Sequence, residues 1–371
     1  MFYFAPKDIS VRSRVPGKIM ASDLYEIQIA GIVQETSDSR SFILGIPESL
    51  RETFRYRAGQ FFTFEVPFEG MLLRRCYSVS SSPDIDAWPK VTVKRVPDGR
   101  ISNWFNDELK VGDTIKALAP EGRFVLRDGS ADRPLFLFGA GSGITPVISL
   151  MKSALICTSR KIKLVYANRD KDSIIFRDEL NLLLERFPGR AEIFHHLDID
   201  RGFMKVEDVA REIAGFEQAE FYTCGPGPFM DTVELGLEQA GIKRESRSFE
   251  RFVSPVDPDR REDLPTIEKA SEGGDGAPKT FRFSFESETH EVPYIPGTTL
   301  LESAEKAGLK PPSSCLDGYC GCCMALKKTG KVTMGSREAL TDDDIERGWI
   351  LTCQSRPADD EDVEVDYDAP Y

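Results

Sequence analysis

The chain has 371 residues, room for two or three domains, and its 40% apolar and 29% charged residues are the mix of a core-forming globular protein. A formal net charge of −13 argues against nucleic acid as the main partner. No run approaches the roughly 18 apolar residues that a membrane-spanning helix needs, and the opening MFYFAPKDISVRSRVPGK lacks the apolar core and cleavage site of a signal peptide, so a cytoplasmic protein is expected.

Residues 1–24 carry mixed charge and little periodicity and read as a tail. From Tyr25 to about residue 130, short β-rich runs alternate with turn signals: YEIQIAGIVQET, RSFILGIP, QFFTFEVPF, RRCYSVSSS, WPKVTVKRV and DTIKALAP. This spacing predicts an antiparallel barrel or sandwich, with the barrel preferred, interrupted at VPDGRISNWFNDEL by a tight turn and a short helix. RRCYSVSSSP contains R-x-Y-S at Arg75, Tyr77 and Ser78. An arginine can grip a phosphate with paired N–H bonds, a tyrosine can lie against an aromatic ring, and a hydroxyl can bond a ring nitrogen. Taken alone, the stretch reads more readily as an ordinary polar strand edge.

The pattern changes over residues 131–253. Buried-strand runs (PLFLFGA, IKLVYANR, AEIFHHL, EFYTCG) alternate with helical segments (TPVISLMKSALI, RDELNLLLERF, VEDVAREIAG, FMDTVELGLEQAG), which predicts a Rossmann-like parallel sheet covered on both faces. The first strand runs into Gly139, Gly141 and Gly143, then Thr145-Pro146 at a helix start. Such a turn lets backbone approach a pyrophosphate at a helix N-terminus, and Pro146 suits the first helical position. Cys224-Gly225-Pro226 repeats the strand–turn–helix logic at the end of a central strand, where open α/β sheets bind ligands.

Residues 254–279, rich in Pro, Gly and charge, read as a linker. The remaining segment, 280–371, shows two strands, one helix, a cysteine loop and an acidic tail. Residues 279–371 hold ten Lys or Arg against eighteen Asp or Glu, a balance of −8. That excess is either a solvated surface or a docking face for a basic partner.

Five of the eight cysteines lie beyond residue 310. Cys315, Cys320 and Cys323 are spaced C-x4-C-x2-C, and Cys353 follows after 29 intervening residues. Plant-type ferredoxins hold a [2Fe–2S] cluster with four thiolates at this spacing, whereas zinc favours two short arms. Ser313, Ser314, Gly318 and Gly321 let the backbone wrap closely, so that N–H groups can point at sulfur. Cys322 reads as a spare small residue with its side chain turned away.

In this order, the three motifs resemble the ferredoxin–NAD(P)H reductase superfamily, and within it the three-part oxygenase reductases with flavin barrel, nicotinamide domain and C-terminal plant-type ferredoxin. CGPGPFM, ERFVSP and YANRDKDSIIFRDEL are most like the reductases of 3-ketosteroid 9α-hydroxylases, and next those of phenylacetyl-CoA monooxygenases. The resemblance implies a multi-domain α/β plus all-β fold ending in a β-grasp domain. It also implies FAD, rather than FMN, contacted by Arg75, Cys76, Tyr77, Ser78, Val93, Lys94, Gly99 and Ser102. Gly141, Gly143, Thr145, Pro146, Cys224, Gly225 and Pro226 would serve the nicotinamide cofactor. Phe252 would shield the flavin ring, with Glu250 nearby, and Ser78, Cys224, Glu250 and Phe252 would form the catalytic set. The cluster ligands would be Cys315, Cys320, Cys323 and Cys353. Arg169 lies where the adenosine ribose is expected, and Asp170 and Asp172 beside it would repel a 2′-phosphate, which favours NADH over NADPH.

The implied activity is a relay from NADH through FAD and the [2Fe–2S] cluster to a separate terminal oxygenase of the Rieske non-haem iron type, the reductase itself being monomeric. A di-iron aryl-CoA monooxygenase is the alternative partner. A flavoenzyme acting directly on a small molecule is disfavoured because the chain has no additional substrate domain, and an iron–sulfur sensor would leave the flavin and nucleotide motifs unused.

Overall fold

A computed structural model describes residues 24–127, 133–252, 280–337 and 339–369. The expected tail, apart from Leu24, and the expected linker lie outside the described residues.

The first unit is built from β1 (Tyr25–Thr36), β2 (Ser39–Gly45), β3 (Phe61–Phe68), β4 (Met71–Ser78), β5 (Lys90–Lys94) and β6 (Thr114–Ala117), with helix α1 (Arg100–Asp107) between the last two. The strands run β4-β3-β6-β1-β2-β5, all antiparallel, and a bridge between Val79 and Val91 brings the two edges together as a barrel. Ile27, Ile29, Phe42, Phe62, Phe64, Val91 and Val93 fill its interior with Phe105 from α1.

The second unit contains β7 (Leu135–Ala140), α2 (Ile144–Cys157), β8 (Ile162–Asn168), α3 (Arg177–Arg186), β9 (Ala191–Leu197), α4 (Asp198–Arg201), α5 (Val206–Ile213), β10 (Glu220–Gly225), α6 (Gly227–Gln239) and β11 (Arg247–Arg251). Its sheet, ordered β11-β10-β7-β8-β9, is parallel throughout. Every residue of β7, β8 and β10 is buried, as expected of strands covered on both faces. Helix α2 is buried nearly all round because the barrel covers the face turned away from the sheet. Its Lys152 is 2% exposed and joins Asp86 of the barrel to Glu179 of α3, each at 2.7 Å. Ser82 Oγ and Ser153 Oγ, 2.7 Å apart, pin the same boundary.

The third unit comprises β12 (Thr280–Phe285), β13 (Glu288–Pro293), α7 (Leu300–Lys306), β14 (Met324–Thr329), β15 (Val332–Met334), α8 (Asp342–Glu346), β16 (Trp349–Leu351), β17 (Ser355–Pro357) and β18 (Glu364–Asp366). The main sheet runs β13-β12-β18-β14-β16, and β15 pairs with β17. Thr299 and Glu302 close a capping box at the start of α7. The stretch expected as an acidic tail thus supplies β18, the central strand, parallel to β12 and antiparallel to β14. The third unit docks on the other two: Thr63 Oγ1 of β3 bonds Ser314 Oγ, and Arg244 of the second unit grips Asp343 (2.6 Å) and Asp344 (2.8 Å) of α8.

Candidate functional site

A cavity of about 640 Å³ opens where the three units meet, within the usual range for small-molecule sites. Arg75, Cys76, Tyr77 and Ser78 of β4, Lys94 of β5, and Gly99 and Ser102 at the start of α1 line its barrel side. Thr145, Pro226, Glu250 and Phe252 face them from the second unit, and Cys315, Tyr319 and Cys320 form a wall from the third. Leu73 packs in the barrel core, and Arg74 through Ser78, at the end of β4, line the cavity. Val93, expected among the flavin contacts, instead packs fully buried in the barrel core, and its neighbours Thr92 and Lys94 take the cavity positions.

The chemistry of this lining fits a flavin nucleotide. Arg75 and Lys94 offer cationic groups, the N-terminus of α1 begins at Gly99, and Tyr77 and Phe252 supply aromatic faces. At Gly99 an added Cβ would sit 2.6 Å from Ser102 Oγ, so the turn closes over the helix start only with glycine. Ser78 Oγ donates to Glu250 Oε2 at 3.1 Å, joining the barrel to β11. Burial pushes the Glu250 carboxyl up to about 8, partly offset by the Ser78 hydrogen bond.

The nucleotide turn sits on the other side. Residues 141–143 form one 3-10 turn, and α2 begins at Ile144, so Pro146 occupies the third helical position rather than the first. Its missing N–H still costs nothing, since the first four amides of a helix lack intrahelical partners. A Cβ on Gly143 would lie 2.2 Å from the Cys224 carbonyl oxygen. The phosphate-type turn and the Cys224–Gly225 turn therefore abut backbone to backbone, a cradle that any side chain would fill. Cys224 itself is fully buried beneath the cavity, next to Glu250. Arg169 stands apart from the cavity, largely exposed, with Nε 2.9 Å from Asp170.

The cysteine loop gathers all four expected ligands and more. Cys323 and Cys353 are buried with sulfurs 3.1 Å apart, and the Cys320 thiol neighbours that of Cys315. The amides of Asp317 and Tyr319 both donate to Cys315 Sγ at 3.4 Å, and Gln354 Nε2 donates to Cys353 Sγ at 3.6 Å. Gly318, at φ +82°, permits this wrap; a Cβ there would meet Ser336 Oγ at 2.8 Å. Among the described residues, no three His, Cys, Asp or Glu side chains are set to hold a single ion. Thiols in two pairs fit instead a [2Fe–2S] cluster, in which each iron takes two. Cys322 is not turned away: its thiol meets Cys320 and Glu121 of the barrel, whose carboxyl burial pushes up to about 7. Sequence reasoning missed Glu121, Thr63 and Arg244, all of which reach the third unit from a distance in the chain.

Three family descriptions match the chain: an oxidoreductase FAD-binding domain over residues 26–126, an oxidoreductase NAD-binding domain over 137–234, and a 2Fe-2S iron-sulfur cluster binding domain over 284–358. The ferredoxin reductase component of 3-ketosteroid-9-alpha-monooxygenase from Rhodococcus rhodochrous is 41% identical, with 90% of this chain and 94% of that protein aligned. The glycine betaine monooxygenase reductase subunit of Pseudomonas aeruginosa is 32% identical over 94% of this chain and 96% of its own. Among solved structures, phthalate dioxygenase reductase, described as a modular structure for electron transfer from pyridine nucleotides to [2Fe-2S], superposes with a TM-score of 0.57. It is 25% identical, covering 92% of this chain and 98% of that one.

Proposed function

The chain belongs to the reductase components of multicomponent oxygenases, and from that premise we propose that it carries electrons from NADH to a terminal oxygenase acting on a 3-ketosteroid. The single observation behind the path is the shared cavity: Tyr77, Ser78 and Phe252 on one side and Cys315 and Cys320 on the other bound one space. A bound FAD would supply two-electron hydride chemistry, and a bound [2Fe–2S] cluster would supply one-electron transfer.

The chain's own residues set distance, orientation and protonation. Arg75, Lys94, Gly99 and Ser102 would hold the phosphates, while Tyr77 and Phe252 would cover the ring. The Ser78 hydroxyl donates to Glu250 Oε2, and burial favours a protonated Glu250 carboxyl, which keeps an exchangeable proton at the cavity wall. The Gly141–Gly143 turn and Pro226 bind the dinucleotide, and buried Cys224 backs the turn. Cys315, Cys320, Cys323 and Cys353 would hold the irons. Pairing of Arg169 with Asp170 supports NADH, since a 2′-phosphate would compete with a carboxylate already in place. The steroid assignment rests on likeness to the Rhodococcus protein.

The test is diaphorase activity in two parts. A Cys320→Ser protein is expected to lose NADH-driven cytochrome c reduction and keep ferricyanide reduction. Unchanged cytochrome c reduction would overturn the relay. Reconstitution with a 3-ketosteroid oxygenase component and with a glycine betaine one tests the pathway; product formed only with the latter refutes the steroid reading.

A further inference from the structure

Cys76 lies between Arg75 and Tyr77 on β4, where sequence reasoning counts it with the flavin contacts. Its thiol neighbours are of a different kind. It meets the Cys320 thiol and, at 3.2 Å, Thr63 Oγ1. Thr63 in turn bonds Ser314 Oγ, the residue before Cys315. Two adjacent barrel strands thus send a hydroxyl and a thiol to either end of the ligand loop, and Cys76 also lines the flavin-type cavity.

A thiol is a weak hydrogen-bond donor, yet donors to cluster sulfurs stabilise the more negative, reduced state and so raise the potential. We propose that Cys76, oriented by Thr63, is a positioning residue for the iron–sulfur centre: it donates to the Cys320 sulfur, raises the cluster's reduction potential and fixes the ligand loop against the cavity wall. This rests on the reductase reading above. It gives the barrel a direct influence over the acceptor of its own electrons, and it requires Cys76 to remain a free thiol and not a fifth ligand.

The experiment is an EPR-monitored redox titration of the loaded protein and its Cys76→Ala, Cys76→Ser and Thr63→Val variants, with FAD content read from absorbance. Cys76→Ala is expected to disfavour one-electron uptake by threefold to tenfold, about 30 to 60 mV lower for a one-electron couple. Potentials are compared between proteins of equal FAD content, because Cys76 also lines the flavin-type cavity. Cys76→Ser, which keeps a donor, restores most of the shift, and Thr63→Val moves the potential in the same direction as Cys76→Ala but less. If Cys76→Ala fails to retain the cluster, Thr63→Val against wild type carries the comparison. A potential unchanged in both Cys76→Ala and Thr63→Val overturns the proposal while leaving the relay intact. A wild-type protein with no [2Fe–2S] signal overturns both.

Discussion

Glu250 is the group whose protonation the fold controls most visibly. Removed from bulk water between barrel and β11, its carboxyl rises from an ordinary value near 4.5 to about 8, with the Ser78 hydroxyl holding it from rising further. A hydrogen bond to a charged group is worth about 1.5–3 kcal/mol, and each pH unit corresponds to about 1.4 kcal/mol. Ser78→Ala should therefore move the Glu250 titration upward by about one to two pH units, and Glu250→Gln should abolish it. The assay is the rate of flavin reduction by NADH in stopped flow across pH 6 to 10, with equal FAD content in all proteins. Wild type is expected to break near pH 8, Ser78→Ala at higher pH, and Glu250→Gln not at all. Linkage gives a second reading. Between 4.5 and about 8 the folded chain binds the proton and the unfolded chain does not, so this group's contribution is unpenalised below 4.5. Stability then falls as pH rises through that window, by at most about 5 kcal/mol at its alkaline end. The advantage of Glu250→Gln in urea should accordingly widen with pH. A break near pH 8 that survives in Glu250→Gln, or that Ser78→Ala moves downward, refutes the reasoning.

Gly143→Ala forces a Cβ to within 2.2 Å of the Cys224 carbonyl oxygen, with backbone on both sides. Overpacking of this kind costs about 1–3 kcal/mol, so the KM for NADH should rise about tenfold while FAD binding persists, read by steady-state kinetics and absorbance. Arg244→Ala leaves Asp344, 1% exposed, without its guanidinium. Electron transfer from flavin to cluster should slow several-fold in stopped flow, with the cluster spectrum unchanged. Cys322→Ser should keep its iron and Cys323→Ser should not, as read by iron analysis and EPR; the reverse outcome would reassign the ligand.

What the sequence made legible follows from period and spacing. Strands β7, β8 and β10 are largely apolar runs without period-two alternation, the signature of double coverage, and C-x4-C-x2-C is legible because a cluster fixes ligand separation along the chain. Strand β18 was hidden under its own charge. Val363, Val365 and Tyr367 point inward while Glu364 and Asp366 face out, a period-two pattern that reads as acid until the partner strands are known. Three-residue strands such as β15, β16 and β17 are too short to show any period. Thr63, Glu121 and Arg244 carry no local signal, because their partners lie in other units and no repeat links them.

The acidic stretches bear most on how a partner can be recognised. Read as sequence, LTDDDIE and the final acidic run offer a face for a basic oxygenase. In the fold, Asp343 and Asp344 hold Arg244, Asp359 and Glu361 pair with Lys331, Glu364 with Arg282, and Asp366 with Lys328. Asp342 remains 90% exposed, 3.9 Å from Arg337. Much of the apparent excess is spent inside the chain, and part of it docks the cluster-bearing unit. Salt therefore acts on two contacts, the internal Arg244 clasp and any external face, and screening weakens exposed pairs more than buried ones. Cytochrome c reduction and oxygenase-coupled turnover should then be measured over the same salt range. If the two fall together, and Arg244→Ala removes the shared part, the internal clasp accounts for it. A steeper fall in coupled turnover alone isolates the contribution of the exposed acids, and equal salt dependence in wild type and Arg244→Ala would refute the clasp.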